Sequence, residues 1–225
     1  VAAASWWNSR TLCEEAAGMF FRNEDVLRAK EITQARLTRL RRDDGGWAKT
    51  DRDGCGSLYH AFLAACVFAE LNLQRIPGAW NAQLFVKTVV QPGGGFLENR
   101  FSKRPGTNGT VAGIALTIAL GMAMDTDPHA EFIKSMHSGE GGFCATPAAP
   151  VADLLSTYTA LYCLKLLGKL DPVLVRTARK YAQGLEARSG GYAGFTLETV
   201  VDCEYTFYGL GVESIALQYE KSQQA

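Results

Sequence analysis

Gly45-Gly46-Trp47, Gly94-Gly95-Phe96, Gly141-Gly142-Phe143 and Gly190-Gly191-Tyr192 are four copies of one short stretch, and their aromatics stand 49, 47 and 49 residues apart. A loop punctuator recurring at this spacing marks a chain built by repeating one supersecondary unit. Counted from each aromatic, position +17 is Ala64, Gly113, Ala160 or Gly209, and position +20 is Val67, Leu116, Cys163 or Val212. A small residue inside an apolar helical run is expected to let a neighbouring helix come close. Position +14 is Thr110, Thr157 or Thr206 in the last three copies, and position +10 is Asp153 or Asp202 in the last two. Oxygens there suit a helix N-terminus, where they accept from unpaired backbone N–H groups.

Working outward from the loops, the spacing of apolar residues predicts a buried helix from about Ser5 to Phe20 and a polar helix over 24–42. That polar helix has acids in its first turn, and Arg39, Arg41 and Arg42 at its end read as a solvated face. Apolar helices are expected over 57–73, 107–124, 153–167 and 203–219, with Gly168 as a stop signal. Amphipathic ones are expected around 80–90, from Asp127 to near His137, and from Asp171-Pro172 to about Glu186. The tail 220–225 is polar and expected to fray. Polar helix, loop, apolar helix, repeated, is packed economically as two concentric rings with the apolar helices inside. The expected fold is therefore all-α, an α/α toroid forming one domain over 1–225, with the loops and the N-termini of the apolar helices gathered at one end.

The chain has 225 residues, 47% of them hydrophobic, enough to bury one substantial core. Lys+Arg and Asp+Glu are 23 each, so no basic excess points to nucleic acid. Six scattered cysteines without a CxxC pair favour buried thiols in a reducing compartment. No apolar run is long enough to span a bilayer, and a cytoplasmic location is expected. The sequence starts at Val1 on what reads as a helix, which suggests a missing upstream segment. Asn108-Gly109-Thr110 matches a glycosylation triplet but is given no weight.

The passages GGFCATPAAPVADLLSTYTALYCLKLLG (141–168) and GGYAGFTLETVVDCEYTFYGLG (190–211) resemble the prenyltransferase and squalene-cyclase repeat superfamily, which holds protein prenyltransferase β subunits and class II terpene cyclases. The resemblance covers about residues 45–219. It implies an α/α toroid whose apolar centre holds an isoprenoid or other hydrophobic small molecule. For the protein prenyltransferases it also implies a zinc ion held by an Asp, a Cys two residues later and a His in a later repeat. Those positions carry Asp153, Leu155 and Tyr205 here, and the diphosphate-gripping cations are replaced by Pro147 and Pro150, so no metal or other cofactor is expected.

Class II cyclases protonate an alkene or epoxide with an Asp at the start of an inner helix. No DxDD occurs, but Asp202-Cys203 is similar to the family's Asp-Cys pair, while alignment on Thr206 brings Glu204 into register. Asp202 and Glu204 are the candidate acids, with helix capping as the competing role for Asp202. Substrate contacts are assigned to Tyr158, Tyr205 and Tyr208, which lie in the two passages, and to Arg100, Lys103 and Arg104, where cations precede a helix N-terminus. His60 reads as a packed histidine, and His129 and His137 as part of a polar helix. A toroid that has lost its chemistry and binds a lipid or protein partner is the competing function. Five apolar and four polar helices fall short of the family's ring. The N-terminal helix, with Trp6, Trp7 and Phe20, is therefore expected to cover Ile215, Leu217 and Tyr219, unless a second chain, a homo-oligomer or an upstream segment does so.

Overall fold

A computed structural model describes residues 23–70 and 79–224. Among them are eight helices: α1 (Asn23–Leu40), α2 (Leu58–Glu70), α3 (Ala79–Val89), α4 (Thr107–Ala119), α5 (Asp127–Ser135), α6 (Leu154–Leu166), α7 (Pro172–Gly184) and α8 (Cys203–Gln224). Two short antiparallel strands, β1 (Tyr192–Ala193) and β2 (Val201–Asp202), complete the set. The chain divides into two compact units. One holds α1, α2, α3, Glu98–Phe101 and Ala115–Ala123, and the other holds Val90–Leu97, Ser102–Ile114 and the described chain from Met124 onward. No helix among the described residues is long and apolar enough to cross a membrane.

Each Gly-Gly-aromatic loop is a small, repeated hydrogen-bonded device. Its aromatic is buried and bridges two segments: Trp47 pairs with Arg41 and Ser57, Phe143 with His137 and Asp153, and Tyr192 with Glu186 and Asp202. The first glycine of each pair has positive φ, from 88° at Gly190 to 97° at Gly94. A Cβ at Gly45, Gly94 or Gly141 would also meet the backbone carbonyl of Asn81, Pro128 or Thr177 at 2.1, 2.1 or 2.8 Å. At these three positions only glycine satisfies both demands, which accounts for the first glycine of the pair.

The hydroxyl phase has an equally direct cause. The amides of Phe96, Phe143 and Tyr192 donate to Oγ1 of Thr110, Thr157 and Thr206 over 3.1, 2.9 and 3.2 Å. In the first copy that position is Ala61, and Asp44 serves instead, accepting from Gly46 N and Gly56 N at 3.0 and 2.8 Å. A further bond ties each of α2, α4 and α6 to the following loop. Leu58 N–H donates to Glu98 O (2.7 Å), Thr107 N–H to Ala145 O (2.9 Å) and Leu154 N–H to Gly194 O (2.8 Å). In each case the donor is at +11 and the acceptor at +2 of the next copy, so these bonds satisfy helix N-terminal amides that would otherwise be orphaned.

Several expectations need correction. The small residue at +17 makes room for the loop's own aromatic rather than for a neighbouring helix: a Cβ at Gly113 would lie 2.5 Å from Phe96 Cγ, and one at Gly209 2.4 Å from the Tyr192 ring. The helix expected to reach 124 stops at Ala119, because Gly121 takes φ 65° and its amide and that of Met122 close onto Ile118 O and Thr117 O. The tail does not fray at 220, since α8 runs to Gln224 and Arg179 holds Glu220 at 2.8 Å. The arginines ending α1 are not merely solvated. Arg42 donates to the carbonyls of Asp53 and Thr50 at 2.7 Å each, and Arg36 and Arg39 both pair with Asp51 at 3.0 Å. His129 is buried, its Nδ1 accepting from Gly95 N at 3.0 Å. The expected helix over 5–20, with Trp6, Trp7 and Phe20, lies outside the described residues.

Candidate functional site

Helices α6, α7 and α8 pack together in the second unit, and the first turns of α6 and α8 start from capping aspartates. Asp153 caps α6: its Oδ1 accepts from Ser156 N at 2.7 Å and its Oδ2 from Ser156 Oγ at 2.8 Å. Burial raises the Asp153 carboxyl above its usual range, and the two Ser156 bonds oppose that rise. Asp202 caps α8 in the same way, its Oδ1 accepting from Tyr205 N at 2.7 Å, and its side chain is exposed. Capping is thus an observed role of Asp202.

Between α6 and α8 stands a cluster of aromatic rings. Tyr158 stacks on Tyr208 with ring centres 5.8 Å apart, and Tyr205 meets Tyr208 edge-on at 6.1 Å. Phe207 lies edge-on to Tyr158 at 5.6 Å and Tyr162 is 5.9 Å from it. Two glycines admit these rings. A Cβ on Gly211 would fall 2.4 Å from Tyr158 Cε2, and one on Gly194 2.6 Å from Tyr205 Cζ. The Tyr208 hydroxyl donates to Glu204 Oε1 at 2.7 Å. Burial pushes the Tyr158 hydroxyl up to about 12, and burial with nearby Asp153 raises that of Tyr205. Both phenols therefore stay neutral at physiological pH.

The structure brings Tyr158, Tyr205, Tyr208, Glu204 and Asp202 together. Phe207, Tyr162, Gly194 and Gly211 belong with them and were not singled out in the sequence, although Gly211 sits where the other three copies carry Cys66, Ala115 and Tyr162. Lys103 and Arg104 are exposed on the loop before α4, and among the described residues neither takes part in this cluster. Arg100 belongs to the first unit, exposed, with its guanidinium 4.8 Å from the Phe101 ring centre.

Two polar bonds join α4 to α6: Asn108 Nδ2 donates to Ser156 Oγ (3.2 Å) and Thr159 Oγ1 donates to Asn108 Oδ1 (2.7 Å). The would-be glycosylation asparagine is thus engaged inside a helix pair. The donor set does not fit zinc. Leu155 has no ligating atom, both Asp153 oxygens are committed to Ser156, and no three His, Cys, Asp or Glu side chains among the described residues converge on one point.

The family model of the prenyltransferase alpha-alpha toroid domain matches residues 79–224. The chain belongs to that family. Its toroid fold is shared by solved structures at low identity. Protein geranylgeranyltransferase-I from Candida albicans, complexed with GGPP, is 15% identical with a TM-score of 0.65 over 88% of this chain and 66% of that one. The type II terpene cyclase MstE from Scytonema is 17% identical with a TM-score of 0.63 over 85% and 56%. A variant of that cyclase in complex with geranylgeranyl dihydroxybenzoate is 16% identical, with a TM-score of 0.61 over 84% and 56%. This toroid-family chain therefore spans just under two thirds, or little more than half, of the length of these neighbours. Among curated protein sequences, none is similar enough to count as a match.

Proposed function

We propose that this chain binds an isoprenoid through the aromatic cluster of α6 and α8. The observation that carries the reading is the contact of Tyr208 with Tyr158, Tyr205 and Glu204. Tyr162, Tyr205 and Phe207 are half-buried and offer the surface that a ligand would touch. Neutral aromatic faces suit a prenyl chain, and their negative quadrupoles stabilise positive charge developing on it. The toroid neighbours that carry GGPP or a geranylgeranyl substrate give the size of chain to test first.

Glu204 and Asp202 are the acids proposed to start a cyclisation. In its protonated form either would break its O–H bond and form a C–H bond to one alkene carbon, leaving the positive charge on the other carbon beside the tyrosines. The second reading, binding without chemistry, is favoured by the exposure of Asp202 and its use as a cap. Native mass spectrometry with lipid extraction tests the binding. A bound prenyl species supports the reading, and a chain that neither retains nor takes up geranylgeraniol contradicts it. Turnover by the wild type that survives in both Asp202→Asn and Glu204→Gln would remove the acid assignment.

A further inference from the structure

The acids around the ring cluster have no cation among them. The third and fourth loops (141–153 and 190–202) and the first ten residues of α4, α6 and α8 contain no Lys or Arg, but they hold Asp153, Glu198, Asp202 and Glu204. None of these four is in an ion pair among the described residues. All four act on one phenol: after burial, Asp153, Glu198, Glu204 and Asp202 each raise the Tyr205 hydroxyl. The cations of neighbouring segments are placed elsewhere. Lys165 and Lys221 lie in the last turns of α6 and α8, and Arg179 of α7 is held by Glu213 and Glu220. Lys134 and Lys169 pair with Glu131 and Asp127. Arg176, Lys180 and Arg188 are exposed, and Lys180 borders a hollow that none of the rings lines. Lys103 and Arg104 are exposed on the loop before α4.

A neutral polar group stands beside this set. Asn108, half-buried in the first turn of α4, donates from Nδ2 to Ser156 Oγ and accepts at Oδ1 from Thr159 Oγ1, over 3.2 and 2.7 Å, so its amide is fixed from both sides. Ser156 and Thr159 stand on either side of Tyr158 in α6. An amide so held keeps one N–H and one lone pair for a ligand, and a hydroxyl, which both donates and accepts, matches the two. A diphosphate only accepts, and it brings negative charge toward the four acids, a repulsive element of the kind that sets specificity. We propose that the site takes a prenyl chain ending in an uncharged hydroxyl and rejects the same chain ending in a diphosphate, with Asn108 as the head-group partner. This rests on the reading above that the aromatic cluster binds the chain.

Geranylgeraniol and geranylgeranyl diphosphate share one chain and differ only in the head, so calorimetric titration of the full-length protein with each, in magnesium-free buffer, tests this. The alcohol should bind about tenfold or more tighter at low salt. Added salt should strengthen diphosphate binding by screening the repulsion, the opposite of what a cationic grip would show. Glu204→Gln, at an exposed position, should narrow the ratio about twofold or more by removing one acid. Asn108→Ala should weaken the alcohol about threefold or more and leave the diphosphate unchanged. Its fold should stay intact, because Thr159 Oγ1 retains Leu155 O and Ser156 Oγ retains Asp153 Oδ2. Equal or tighter binding of the diphosphate, or weakening of that binding by salt, overturns the proposal and leaves the chain-binding reading standing. An alcohol affinity indifferent to Asn108→Ala also overturns it. Failure of both ligands to bind overturns the proposal and that reading together.

Discussion

The backbone N–H of Phe143 donates to Oγ1 of Thr157 across 2.9 Å, and the same hydroxyl donates to Asp153 O at 2.7 Å. One side chain thereby joins the buried loop aromatic to the first turn of α6. Thr157→Val keeps the shape and strands the Phe143 amide without an acceptor. Chemical denaturation should show a loss of about 1–3 kcal/mol, the cost of an unsatisfied buried donor. A midpoint equal to wild type would mean that this bond does not hold the loop.

Gly113 faces the Phe96 ring, with no space for a methyl group. Gly113→Leu should destabilise by about 1–3 kcal/mol through overpacking. Gly121→Ala tests a different cost, because Gly121 has open space but φ 65°. Its penalty should be about 1 kcal/mol, from the left-handed backbone alone. Thermal melts that leave Gly113→Leu unchanged would contradict the packing described.

Desolvation holds both His60 and His129 below the ordinary histidine value of 6.5, with Glu98 and Asp125 respectively pulling the other way. Because the folded values are depressed, the unfolded chain binds more protons once pH drops below 6.5. Stability is therefore full above 6.5, declines as pH falls from there, and levels off below the folded values. For His129 the structural event is loss of the Nδ1 acceptor for Gly95 N–H. Denaturation midpoints measured between pH 7.5 and 5 should fall, and His129→Gln should flatten part of the slope. A rise in stability on acidification would show the sign to be wrong.

The glycine pairs and the threonine phase were legible in the sequence because each is a side-chain requirement: no Cβ at one position, a hydroxyl at the other. The bond between +11 and +2 was not. Its donors are Leu58, Thr107 and Leu154 and its acceptors Glu98, Ala145 and Gly194, so backbone groups make it and no residue type repeats. The small residue at +17 was visible, but its partner was not, since a cleared space does not say whether a helix or a ring fills it. At the site, three tyrosines were found by position in the family passages. Phe207 was passed over because its part depends on Tyr158 coming across from α6, a contact with no local trace.

If the α6–α8 aromatic cluster binds a prenyl chain as proposed, geranylgeraniol should associate with the purified chain through Tyr205 and its neighbours. The most direct measurement is calorimetric titration of the purified chain with geranylgeraniol, repeated for Tyr205→Ala, whose ring is half-buried at the edge of the cluster. Binding to the wild type should be saturable and weakened about fivefold or more in Tyr205→Ala, with unchanged far-ultraviolet dichroism. Absence of binding, or equal affinity in the two proteins, would contradict it.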